Sequence, residues 1–169
     1  MTNLKHKKLP VGIQSFQEMR EEGYAYIDKT DQVWYMVNRG DKYNYLSRPR
    51  RFGKSILVDT LQMYLEGRKE LFEGLKIMEL EHEWTKHPVI RLDMSEGGDT
   101  AFEIESYLNN IFKKYEKLYS IISTKEDSLT VRFSNIIEAA YEQTGKRVAV
   151  LIDEYDSPLQ HSWNTPEHE

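Results

Sequence analysis

An α/β domain is predicted by three features of the 169-residue chain. Two segments that read as strands, at residues 89–94 and 147–153, are separated by two long helical patterns. The second is an apolar run unbroken from 148 to 152 that ends in acids, which suits a strand in the middle of a parallel sheet. A Gly53-Lys54-Ser55 triplet lies between a strand-like segment at 42–47 and a helical pattern at 54–66. Strands alternating with helices give a parallel sheet with right-handed crossovers. Residues 1–40 read as a small accessory segment, and 41–169 as the α/β part.

Taken in order, the elements announce themselves by their ends. Ser15 and Glu18 have capping-box spacing, and Gly23 closes a short helix after Glu22. Thr30 is expected to cap a second helix that stops at Gly40, with Val33, Met36 and Val37 on one face. Leu57, Leu61, Tyr64 and Leu65 recur at helical spacing over 54–66, and Gly67 follows the last turn. Thr100 and Glu103 form another capping box, opening a helix with Ile104, Tyr107, Leu108, Ile111, Phe112, Tyr115 and Leu118 on its apolar stripe. Leu129, Phe133, Ile136, Ile137 and Ala140 mark the next helix, which stops at Gly145.

Composition bounds the chemistry. Hydrophobic residues make up 39% and charged residues 30%, the balance of a folded globular chain rather than a disordered one. The chain has no cysteine, so disulfides and thiolate metal sites are excluded. No apolar run approaches the roughly 20 residues needed to span a bilayer. The basic start, residues 1–8, is not followed by the apolar stretch of a secretory signal. A cytoplasmic protein without a membrane partner is the expectation. The net charge of −5 disfavours a globally basic nucleic-acid binder. The five histidines are scattered without metal-ligand spacing, and no Gly-x-Gly-x-x-Gly is present.

Gly53-Lys54-Ser55 completes the end of the G-x-x-x-x-G-K-[ST] pattern, a Walker A phosphate loop. The residue types suit the chemistry. Gly53 allows close backbone approach to a phosphate, and the helix start offers unpaired N–H groups and partial positive charge. Lys54 would reach the β- and γ-phosphates, and the Ser55 hydroxyl would ligate Mg²⁺. Arg48, Arg50, Arg51 and Phe52 complete the candidate loop, whose four positive charges within 48–54 suit a triphosphate. A contact to nucleic-acid phosphate, or a solvated basic loop, are the other readings of those charges. The loop departs from the pattern, because Arg48 stands at the first glycine and Pro49 removes one N–H from the cradle. By chance alone the triplet appears in roughly one chain of this length in ten. Its place between strand and helix, with acids downstream, is what gives it weight.

The apolar run at 148–152 delivers Asp153 and Glu154 at its C-terminal end, the edge where open α/β sheets bind ligands. In a P-loop enzyme the first acid of such a pair holds Mg²⁺ and the second polarises the attacking water. That makes the run a Walker B strand, with Lys54 and Glu154 as catalytic candidates and Ser55 and Asp153 as metal ligands. The bland reading is a solvated strand end. Asp156 suits either a supporting role or a turn before Pro158. Tyr24, Tyr26, Trp34, Tyr35, Tyr43 and Tyr45 precede the loop, where an aromatic can stack on adenine but more often belongs to a core.

These residues together resemble the AAA-ATPase-like family of bacterial proteins. The resemblance runs from Leu9-Pro10-Val11-Gly12-Ile13 through Tyr26-Ile27-Asp28-Lys29-Thr30 and Leu46-Ser47-Arg48-Pro49-Arg50-Arg51-Phe52-Gly53-Lys54-Ser55. It continues through Leu71-Phe72-Glu73-Gly74-Leu75 and ends at Leu151-Ile152-Asp153-Glu154-Tyr155-Asp156. The arginine-rich loop without the first glycine is its most specific part. The resemblance implies a P-loop NTPase-type parallel sheet with flanking helices. It also implies ATP and Mg²⁺ as ligands, Lys54, Ser55, Asp153 and Glu154 in the roles above, and a PD-(D/E)XK nuclease-like domain further on. The rival is a non-hydrolysing nucleotide-binding or interaction scaffold.

By the same resemblance the chain is expected to be a fragment. Strands that follow the acidic strand in such ATPases would be missing, leaving an open edge beside residues 42–47. A C-terminal part or partner would then be needed for a soluble protein.

Overall fold

A computed structural model describes residues 7–47, 52–124 and 127–157. The chain divides into two compact units, Met1–Lys86 and His87–Glu169.

The first unit is helical. Helix α1 spans Phe16–Glu21, and the Ser15 hydroxyl accepts from the Glu18 N–H at 3.3 Å, as its spacing predicts. Helix α2 spans Thr30–Asn38. Its start differs from expectation. Thr30 lies inside the helix, and the capping oxygen is that of Asp28, which accepts from the Thr30 N–H at 2.9 Å and hydroxyl at 2.7 Å. An Asp two residues ahead reaches the first turn as an Asx turn does. Helix α3 spans Lys54–Leu65, followed by left-handed Gly67 and two 3-10 turns, Lys69–Phe72 and Lys76–Glu79.

Phe16, Val33, Met63, Tyr64, Leu71, Phe72, Leu75 and Ile77 form one buried core, with Tyr26 and Trp34 packed against it. The segment at 16–38 and helix α3 therefore share one interior. The aromatic group ahead of the loop divides accordingly. Tyr26 meets Phe16 edge-on at 5.1 Å, while Tyr43 is 91% exposed. Polar bonds tie the pieces. Asp59 of α3 accepts from the Phe16 N–H at 2.6 Å, and Arg20 donates to the carbonyls of Leu71 and Glu73 at 2.7 and 2.6 Å.

The expected strand at 42–47 is not formed. Its backbone is irregular and pairs with no strand among the described residues. Tyrosine favours strands only where a pleated, half-buried surface awaits it. Here the segment lies in solvent.

The second unit holds the sheet. Strand β1, Val89–Asp93, pairs in parallel with β2, Ala149–Asp153, in a register from Val89↔Ala149 to Asp93↔Asp153. Helices α4, Ala101–Leu118, and α5, Leu129–Thr144, make the crossover. The Thr100–Glu103 capping box is present in both directions, and α5 ends at left-handed Gly145 as expected. Ile90, Leu92, Phe112, Tyr119, Ile136 and Ala140 form the core. The structure is thus mixed helix and strand with a small parallel sheet.

Two expectations are corrected by the structure. Leu118, placed on the apolar stripe of α4, is 65% exposed because the buried face runs from Phe112 and Tyr115 to Tyr119, leaving Leu118 beside it. Strand β2 is not covered on both faces, since Val150 and Ile152 are 37% and 50% exposed. Among the described residues β2 pairs with β1 alone, and the core closes over the β1 residues beside them. The other edge of β1 is occupied by side chains. The N–H groups of Arg91 and Asp93 donate to the hydroxyls of Tyr115 and Tyr107 at 2.8 and 2.9 Å. No helix among the described residues is long and apolar enough to cross a membrane.

A buried ion pair joins α4 to α5. Arg132 donates from Nε and Nη2 to the two carboxylate oxygens of Glu116 at 2.6 and 3.0 Å, and its guanidinium lies 5.8 Å from the centre of the Phe112 ring. Arg132 also reaches Asn109, and Ser123 donates to Glu116 at 2.7 Å. The hydrogen bonds from Arg132 hold the Glu116 carboxyl below the ordinary range. Glu116→Gln should cost about 3 kcal/mol at neutral pH, because it leaves a buried guanidinium without its charge partner. A carboxyl depressed in the folded state stabilises above its unfolded value, about pH 4.3, and that contribution is lost on acidification through the folded value. Denaturant titrations at pH 7 and pH 3 should therefore show a gap between wild type and Glu116→Gln that narrows in acid. An equal gap at both values would contradict the pair's role.

Candidate nucleotide-binding residues

The lysine half of the candidate site is the start of α3. Gly53 precedes the helix at φ +73°, ψ +34°, a left-handed conformation that glycine adopts without strain. A Cβ there would stand 3.2 Å from Ile56 Cγ2, tighter than side chains normally allow. The Gly53 carbonyl accepts from the Leu57 N–H at 3.2 Å, opening the helical ladder. Lys54 and Ser55 occupy the first turn and are half-buried.

This helix start differs from three others. Helices α1, α4 and α5 begin on Ser15, Thr100 and Ser128, whose hydroxyls accept from first-turn N–H groups. The N-cap of α3 is a glycine with no side-chain acceptor, and its first turn carries no acid. Partial positive charge at such an end favours an anion. Phe52 is exposed just ahead of it. Arg48, Arg50 and Arg51 lie outside the described residues.

The acidic half is the C-terminal end of β2. Asp153 is 4% exposed. Its Oδ1 accepts from the Glu154 N–H at 3.0 Å, and its Oδ2 lies 3.9 Å from Arg91 Nη2. Glu154 has φ +47°, left-handed for a side chain that costs about 1–2 kcal/mol there. The bond to Asp153 Oδ1, and the Ser157 N–H donating to the Glu154 carbonyl at 2.9 Å, hold that conformation. The strand consequently stops at Asp153 and turns at the next residue.

Sequence reasoning missed Arg91, Asp93 and Asp59. Asp93 stands opposite Asp153 in the register, and its Oδ1 accepts from the N–H and hydroxyl of Ser95 at 3.1 and 2.6 Å. A signal was available for two of them. Arg91 and Asp93 are charged residues at alternate positions of an otherwise apolar run, which puts both on one face of the strand. Asp59 lay within a helical pattern where an acid reads as a solvated position.

A family model described as predicted AAA-ATPase matches residues 10–169. The chain belongs to that family. A relative from Azotobacter chroococcum mcd 1, called an uncharacterized protein in the vnfD 5' region, is 37% identical over 167 residues. The match takes in 97% of this chain and 32% of that protein, so the chain spans about a third of the relative's length. No solved structure matches the chain significantly. Membership in a predicted AAA-ATPase family agrees, at a coarse level, with nucleotide binding.

The glycine at the helix start is directly testable in this AAA-ATPase family member. Gly53→Ala should lower stability by about 1–2 kcal/mol, because alanine is forced into a left-handed conformation. Chemical denaturation measures it, and an unchanged midpoint would mean that residue 53 does not adopt this conformation.

Proposed function

We propose that the chain is the front part of an ATPase domain that binds ATP with Mg²⁺ and hydrolyses it to drive or license an attached domain. The observation that supports this most is the start of α3. It is a helix opening on left-handed Gly53, with no side-chain cap or first-turn acid, and with Lys54 and Ser55 in its first turn. Such an end is suited to phosphate.

In this reading the α3 N–H groups and the Lys54 ammonium take the phosphate oxygens. Arg48, Arg50 and Arg51 add neutralising charge, and Phe52 lies beside them in the same loop. Among the described residues no three His, Cys, Asp or Glu side chains gather as a metal cluster. Mg²⁺ does not need such a cluster, since it is held through one or two protein oxygens together with substrate phosphates and water. Ser55 and Asp153 supply a hydroxyl and a carboxylate of that kind. When bound, Mg²⁺ would neutralise charge on the phosphate oxygens. Glu154, set just past the strand end, orients the attacking water and accepts its proton. The relative is about three times as long as this chain, so there is room for the domain that hydrolysis would serve.

Two substitutions in the full-length polypeptide test the reading. A charge-assisted hydrogen bond contributes about 1.5–3 kcal/mol, so Lys54→Ala should weaken ATP binding roughly 10–100-fold with the fold intact. Glu154→Gln should bind ATP nearly as wild type and lose turnover. Hydrolysis by Glu154→Gln at the parent rate would remove Glu154 from the reaction, and unchanged affinity in Lys54→Ala would remove the phosphate site.

A further inference from the structure

We infer that Arg91 is the resident counter-ion of Asp153 and gives up that place when magnesium arrives. The inference rests on the ATP·Mg²⁺ reading above and deepens it. A carboxylate exposed only 4% is costly without a cation nearby. Arg91 provides one from the neighbouring strand. Its register partner is Leu151, so Asp153 is the diagonal neighbour two residues on, within reach of a long side chain.

The contact is loose. At 3.9 Å it is well beyond the roughly 2.7–2.9 Å of a charge-assisted hydrogen bond. The Arg132–Glu116 pair in the same unit shows the contrast, closed by two bonds with both side chains at or below 10% exposure. Arg91 keeps 26% of its side chain exposed against 4% for Asp153, so its head group lies nearer to water than the acid does. A tight pair fixes structure. A loose pair at a buried acid keeps a cation on hand that a stronger one can replace.

Arg91 is thus a positioning residue, set beside the Asp153 carboxylate before the metal binds. Two effects follow from exchange. Removing the guanidinium should destabilise the metal-free protein, and Mg²⁺ should restore the loss. Removing a competing cation should also lower the Mg²⁺ concentration needed for ATP binding.

The test uses the full-length polypeptide, wild type, Arg91→Gln, Arg91→Met and Arg91→Lys, in ATP with EDTA and in ATP with Mg²⁺. Arg91→Gln should melt about 2–4 °C below wild type in EDTA and close to it in Mg²⁺. Its Mg²⁺ midpoint for ATP binding should fall roughly three- to tenfold. Arg91→Lys, which keeps the charge, should stay near wild type in both. Arg91→Met serves if Arg91→Gln does not fold. A melting loss equal with and without Mg²⁺, with an unchanged midpoint, would make Arg91 merely structural and overturn the inference alone. A wild type whose ATP binding ignores Mg²⁺ would overturn the magnesium reading and this inference together.

Discussion

Parallel pairing of β1 with β2 cannot be made through a tight turn. It requires a long crossover, and the second unit is built to supply one. Helices α4 and α5 lie between Asp93 and Ala149, and their apolar stripes close over Ile90 and Leu92. The buried Arg132–Glu116 pair fixes one helix against the other. The register that results sets Asp153 opposite Asp93 at the C-terminal end of the sheet. It also sets Arg91 within reach of Asp153. The candidate magnesium acid and its counter-ion are therefore consequences of one strand pairing.

The first unit solves a different problem, the presentation of a helix end. The N-terminus of α1 is fastened to the side of α3 by Asp59, five residues past Lys54. Arg20 fastens α1 to the turns that follow α3. Helix α3 is thus braced along its length while its first turn carries no side-chain cap. A helix start on glycine, without the N-cap side chain that α1, α4 and α5 have, is a local departure from stability rules, and such departures concentrate at functional sites.

Much of this was legible in the sequence because it is local. The N-cap at Ser15, the capping box at Thr100, the stops at Gly23 and Gly145, and the helical stripes that bear Phe112 and Ile136 depend on spacing alone. So does the position of Gly53-Lys54-Ser55 at a helix start. What sequence missed was set by distant partners. Residues 42–47 have strand-forming side chains but no strand beside them, so the pattern goes unused. Val150 and Ile152 are apolar, yet pairing on one edge leaves them exposed. Asp28, rather than Thr30, supplies the acceptor oxygen at the start of α2, and the same carboxylate also accepts from the Lys76 N–H at 2.8 Å, a contact across 48 residues. Arg91 acquires meaning only once the register is known.

An ATPase role for this chain requires that the start of α3 recognise a polyphosphate. Equilibrium titration of the full-length polypeptide with ATP and with AMP, both in Mg²⁺, measures that directly. Saturable binding of ATP with AMP bound far more weakly is the predicted result, since AMP lacks the β- and γ-phosphates assigned to Lys54. Equal affinity for the two nucleotides, or no binding of ATP, would contradict it.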